Sequence, residues 1–174
     1  MNIVAFAASN STQSINKKLV TYAASLIPQH RIEILDLNDY ELPLFSVDRE
    51  QELGQPDLAR QFLGKLETSD AIIVSFAEHN GSYSAAYKNL FDWCSRINNK
   101  VFQGKNMIVL STSPGPGGGK NVLAVALNSI PHFGGEVLAS LSVPGFFDHF
   151  DEDKKMIADK TLKTQLIDAL KTLN

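Results

Sequence analysis

Apolar positions fall along the chain in two alternating rhythms. Short runs rich in Ile, Val and Leu at 2–7, 31–36, 71–76, 106–112 and 136–143 are followed by Ser, Gly, Asn or Pro, which predicts five strands. Three of them are apolar nearly throughout, as strands covered on both faces should be. Helical spacing fills the stretches between, at 15–27, 57–66, 83–97 and 120–133. A last helix is expected over 152–173, where Leu162, Leu166, Ile167, Leu170 and Leu173 form a stripe with a period near 3.6.

Five strand-helix units in a row predict a parallel sheet with helices on both faces, because right-handed crossovers leave little else. The expected fold is α/β in three layers, a flavodoxin-like doubly wound sheet of five strands in the order 2-1-3-4-5. Residues 38–56 read as the longest irregular segment, and nothing suggests a second domain, so residues 1–174 are expected to form one. In such a sheet, ligands bind beyond the carboxyl ends of the strands where the strand order reverses. The loops leaving strands one, three and four are 8–14, 77–82 and 113–119, the most unusual stretches in composition.

At 174 residues the chain is long enough to bury a substantial core without staples. Hydrophobic residues at 44% and charged ones at 20% describe an ordinary globular protein. A net charge of −3, with no dense basic stretch, argues against nucleic acid as a partner. Cys94 is the single cysteine, so no intramolecular disulfide is possible and the cysteine spacing of zinc sites is absent. The start "MNIVAFAAS" carries no basic leader, and no apolar run approaches the ~18 residues of a membrane span. A cytoplasmic protein with no membrane contact is expected.

In the first loop Ser9, Ser11, Thr12 and Ser14 stand just ahead of a helix whose first turn holds Ile15 and Asn16. Hydroxyls and free N–H groups at a helix start favour an anion such as phosphate, although Ser14 could simply cap the helix. Four hydroxyls in six residues exceed what a cap needs. The third loop holds Ser113, Pro114, Gly115, Pro116, Gly117, Gly118 and Gly119, whose glycines let backbone approach a flat ligand closely. It is not a Walker A loop, since Pro114 sits where a Gly is required and Asn121 follows Lys120. No nucleophile elbow and no acid–base dyad is evident.

Together these residues resemble the NAD(P)H-dependent FMN reductase family. Ser9, Ser14 and Asn16 match its G-S-x-R-x-x-S-x-N loop. Glu78-His79-Asn80-Gly81-Ser82, followed by Lys88-Asn89 and Asp92-Trp93, looks like its P-E-Y-N-x-S…K-N…D-W signature. Ser113-Pro114-Gly115 with Gly118-Gly119 is similar to its third loop. The likeness covers nearly the whole chain.

The resemblance implies a non-covalent FMN with its phosphate on Ser9, Ser11, Ser14, Ile15 and Asn16. Its ring would lie against Ala77, Glu78, His79, Asn80, Gly81 and Ser82, with Ser113, Pro114, Gly115, Gly117 and Gly118 along one edge. Reduced flavin would carry the chemistry, NADPH or NADH would supply electrons, and a quinone, azo compound, metal oxyanion or free flavin would take them in a ping-pong scheme. No catalytic side chain and no metal is implied. The expected partners are that small-molecule acceptor and further copies of the chain, as a dimer or tetramer, with the third helix and segment 38–56 in contact.

Ala8 replaces the family's Gly, Ser11 its Arg and Ala77 its Pro. Without the Arg, the phosphate lacks its strongest charge partner, so FMN retention is expected to be weak. Lys17 or Lys18 could supply charge instead. Lys88, Asn89, Asp92 and Trp93 are expected to lock the third helix, and Cys94 to pack in the core. The alternative is a non-catalytic flavodoxin-like binding module or electron carrier with weakened FMN binding.

Overall fold

The computed structural model describes residues 1–173, so Asn174, the last residue of the expected domain, lies outside it. Five parallel strands, β1 (Asn2–Ala8), β2 (Arg31–Leu35), β3 (Ala71–Phe76), β4 (Asn106–Thr112) and β5 (Glu136–Val143), pair in the order β2-β1-β3-β4-β5. Strand order therefore reverses between β1 and β3, as the alternating pattern predicts. All six residues of β3 are buried, and β1 and β4 expose only their first residue. The outer strands β2 and β5 are half open, which is why their runs are less uniformly apolar.

Strand alternation divides the core in two. Val4, Phe6 and Ala8 of β1 face one apolar layer, where Phe62 of α3 (Asp57–Thr68) and Tyr87 and Trp93 of α4 (Ala85–Ile97) are packed. Val122 and Ala126 of α5 (Lys120–Ser129) close that layer. Ile3, Ala5 and Ala7 face the other, against Leu19 and Ala23 of α1 (Ile15–Ser25) and Leu166 and Leu170 of α7 (Lys160–Lys171). A period of two along the strand thus feeds two helix layers at once.

The last expected helix is corrected. Its first part is a two-stranded antiparallel hairpin, β6 (Phe150–Asp151) with β7 (Met156–Ile157), reached through the short α6 (Phe146–His149). Phe150 stacks on Phe146 at 4.6 Å and meets Tyr22 edge-on, which holds the chain extended there. Lys155 takes a left-handed φ of 53° to close the turn, and Asp159 caps α7 by accepting from Leu162 N–H. The apolar stripe starts only at Leu162, so helical spacing never extended upstream.

Segment 38–56 is also less irregular than expected. A 3-10 turn at Leu37–Tyr40 follows β2, and Ser46 caps a short helix, α2 (Val47–Leu53). The helix expected over 83–97 starts at Ala85 because Ser84 takes the cap position. That over 120–133 tightens into a 3-10 turn at Ile130–Phe133 where Pro131 removes a donor. Among the described residues, no helix is long and apolar enough to cross a membrane.

Candidate active site

The three unusual loops meet at the reversal point, and buried side chains tie them together. Asn16, in the first turn of α1, accepts through Oδ1 from Ser75 Oγ at 2.7 Å and from Thr112 N–H at 3.1 Å. Its Nδ2 donates to the Thr112 carbonyl at 3.3 Å. One amide thereby joins α1 to the ends of β3 and β4. The side chain expected to hold phosphate is spent inside the fold, so Asn16 offers a ligand its main-chain N–H. Ser84 adds a second tie, donating to the Ala8 carbonyl at 2.9 Å.

Loop 8–14 is ordered by its own hydroxyls. Ser9 Oγ accepts from Ser11 N–H, Ser11 Oγ from Gln13 N–H, and Ser14 Oγ caps α1 by accepting from Lys17 N–H. The capping role of Ser14 is therefore real, yet each hydroxyl retains its O–H for donation. Among the described residues, the N–H groups of Ile15 and Asn16 have no acceptor, as the first turn of a helix leaves them. Lys17 pairs with Asp36 and Lys18 with Glu152, so neither lysine is free to supply the charge considered for it.

Glu78 also has a different post from the one its position suggests. Its carboxylate accepts from the N–H groups of Asn121 and Val122 and from the Asn121 amide, each at 3.0 Å, and so caps α5. Burial pushes its pKa up, but these three donors and the Lys120 charge outweigh that and hold the carboxyl below its usual value. The next four residues make a tight hairpin turn, in which His79 N–H donates to the Ser82 carbonyl and Ser82 N–H to that of His79. Asn80 and Gly81 both adopt positive φ, 51° and 77°. This is the type I′ geometry that an Asn-Gly pair favours. The dipeptide itself was the available signal for this turn.

Loop 113–119 is pinned rather than flexible. Gly145 N–H donates to the Gly115 carbonyl, Phe146 N–H to Ser113, and the hydroxyls of Ser111 and Ser142 both reach the Gly118 carbonyl. A Cβ on Gly118 would sit 2.3 Å from Ser142 Oγ, so close packing on β5 demands that glycine. Gly115 and Gly117 face open space.

A cleft of about 240 Å³ opens among these loops. Of the residues expected to bind a ligand, it is lined by Ser9, Ser11, Ser14, Ile15, Asn16, Ala77, Glu78, His79, Ser113 and Pro114, and Gln13 and Thr112 join them. Asn80, Gly81, Ser82, Gly115, Gly117 and Gly118 lie outside its lining, on the flanking turns. Its volume is below the roughly 300–1,000 Å³ of sites that enclose a whole small molecule. It suits the anionic tail of a ligand whose flat body lies across the rim. The donors present, two N–H groups and three hydroxyls at a helix start, fit a phosphate.

A family description matches this geometry. Residues 1–148 match the model of the NADPH-dependent FMN reductases. The chain belongs to that family. It is thus an oxidoreductase of the kind that works with FMN and a reduced nicotinamide. An uncharacterized protein of Mycoplasma pneumoniae is 30% identical over 147 residues, covering 82% of this chain and 86% of that one. An NADPH:quinone oxidoreductase of Arabidopsis thaliana is 36% identical over 95 residues, 55% of this chain, which span only 47% of that enzyme. Among solved structures, FerB, a flavoenzyme NAD(P)H:(acceptor) oxidoreductase of Paracoccus denitrificans, superposes with a TM-score of 0.76 at 22% identity, covering 98% of this chain and 93% of that one. That likeness attests the fold.

The remaining expected residues are structural. Asn89 receives the Phe45 N–H and donates to the carbonyls of Leu42 and Pro43, while Trp93 Nε1 donates to Pro43 at 2.8 Å. Both staple segment 41–45 to α4. Lys88 and Asp92 form an i, i+4 ion pair on the same helix. Cys94 is buried, and burial pushes its thiol up to about 12, too high for a nucleophile at neutral pH.

Proposed function

We propose that the cleft seats the phosphate of FMN and that the ring lies over the His79–Ser82 turn and the Gly115–Gly117 stretch, with one face open to substrates. The observation that carries this reading is the pair of unpaired Ile15 and Asn16 N–H groups beside the Ser9, Ser11 and Ser14 hydroxyls, at the strand-order reversal. Bound FMN would accept a hydride from NADPH or NADH and pass two electrons to a second substrate.

The chain's own residues orient and fix. Asn16 and Glu78 hold the three loops at constant separation, so donors at the rim need no rearrangement when a ligand arrives. The open glycines Gly115 and Gly117 present backbone without side chains to a planar ring. A quinone is the acceptor favoured by the Arabidopsis relative's name; azo compounds, metal oxyanions and free flavin would use the same face. Because both substrates need that face, they should alternate, and double-reciprocal plots at several acceptor concentrations should be parallel. Intersecting lines would overturn the alternation.

The deciding experiment is simple. The purified protein should be yellow, or become so with added FMN, and should bleach on addition of NADPH under nitrogen. A colourless protein indifferent to both would favour the binding-module alternative, which the pairing of Lys17 and Lys18 with carboxylates supports.

We further propose a homo-oligomer in the cytoplasm. Leu44 is 74% exposed, Val47 58% and Leu53 53%, all on the segment stapled to α4. Apolar side chains gathered on one exposed segment suit contact with a second copy. Sedimentation of the wild type should give a dimer or larger.

A further inference from the structure

A larger groove, about 580 Å³, runs between α1 and the β6–β7 hairpin and reaches the first loop at Thr12 and Ser14. We propose that it is a second binding site, for a phosphorylated nucleoside. One wall is a single face of α1, carrying Lys18, Thr21, Tyr22 and Ser25 at helical spacing. Opposite stand Phe150 and the hairpin turn with Lys154 and Lys155. Tyr22 and Phe150, edge to face at 6.1 Å, make an apolar floor.

Lys17, Lys18, Lys154 and Lys155 line the groove together with Glu152, and three of the four lysines are held by carboxylates. Asp36 holds Lys17, Glu152 holds Lys18 and Asp151 holds Lys154 at 3.2 Å, which fixes those ammonium groups around the opening. Lys155 has no ion-pair partner among the described residues. The Tyr22 hydroxyl is buried and has no hydrogen-bond partner among the described residues, an orphan donor that native folds seldom leave.

The ligand chemistry follows from these walls. The volume matches small-molecule sites, the aromatic floor suits a flat ring, and ammonium groups bind phosphate as point charges. A ring nitrogen or phosphoryl oxygen reaching the floor would satisfy Tyr22. Either the adenosine end of NADPH or a free mononucleotide carries this chemistry. The groove meets the cleft among the loops at Ser14, but none of the hairpin residues lines that cleft, so their part in the second site does not rest on the FMN reading.

The test is titration of flavin-free protein with 2′,5′-ADP, followed by amide chemical shifts. Saturable shifts are expected at Thr21, Ser25 and Lys155. The exposed double variant K154E/K155E should weaken binding at least tenfold, while K171E, with a charge change at the far end of α7, should not. Tighter binding of 2′,5′-ADP than of 5′-AMP would assign the site to NADPH's adenosine end, and equal binding to free mononucleotides. The proposal is overturned if shifts arise only in residues 9–16, 77–82 and 113–119, if K154E/K155E binds like wild type, or if inorganic phosphate binds as well as either nucleotide. Failure of FMN to bind would alter none of these readings.

Discussion

Asn121 donates to Glu78 twice, from its main-chain N–H and from its side-chain amide, each at 3.0 Å. A carboxylate in the loop after β3 thereby caps the helix that begins after the glycine loop, so hydrogen bonds join two of the three rim loops.

Replacing that carboxylate should be felt as lost stability with a particular pH dependence. Glu78→Gln should cost about 1 kcal/mol near neutral pH, the usual worth of a helix cap. The folded-state pKa of Glu78 lies below its ordinary value, so its contribution is complete above the ordinary value and fades as pH falls through the folded one. Wild-type and variant melting temperatures should therefore differ at neutral pH and converge in acid. A gap that stays constant down to full protonation would show that charge is not what the cap supplies.

Asn16 should matter to folding more than to ligand contact. Asn16→Ala leaves Thr112 N–H and Ser75 Oγ without their buried partner, at a cost of about 3 kcal/mol. Urea unfolding would show this as a lower midpoint with little change in slope. A loss under 1 kcal/mol would mean that water replaces the amide.

On the proposed reading, position 11 should limit phosphate affinity. Ser11→Arg would add the charge-assisted donor that the cleft lacks, worth about 1.5–3 kcal/mol. The FMN dissociation constant, read from flavin fluorescence, should fall about tenfold or more. Unchanged affinity would place the phosphate elsewhere.

Two glycines should respond differently to alanine. At Gly81 nothing lies within 4 Å of an added Cβ, so only the φ of 77° resists, about 1–2 kcal/mol. At Gly118 the φ of 60° is joined by the Ser142 hydroxyl at 2.3 Å and the Pro144 backbone at 2.9 Å. Gly118→Ala should lower the melting temperature further and weaken FMN binding by shifting loop 113–119. Equal losses would mean that the loop yields easily.

Much of this was legible in the residue pattern because it depends on local periodicity. Continuous apolar runs at 71–76 and 106–112 mark strands covered on both faces, and their alternation with helical stripes leaves one sensible sheet order. The order of β1 and β3 then pointed to the rim where the three loops meet, and the Ser-rich and Gly-rich loops stood out there by composition. The Asn80-Gly81 pair carried its turn openly, although a planar ligand offered an equally direct reason for small residues there.

What tertiary structure alone decided is how each polar side chain is spent. Asn16 and Glu78 read as ligand contacts because sequence cannot show that Thr112 N–H or the start of α5 lies within hydrogen-bonding distance of them. Lys17 and Lys18 read as free charges until the fold brings Asp36 and Glu152 alongside. The hairpin at 150–157 depends on Tyr22, which is remote in sequence but packs edge-on against Phe150. Periodicity is a property of neighbours along the chain; hydrogen-bond satisfaction is a property of neighbours in space, and only folding determines those.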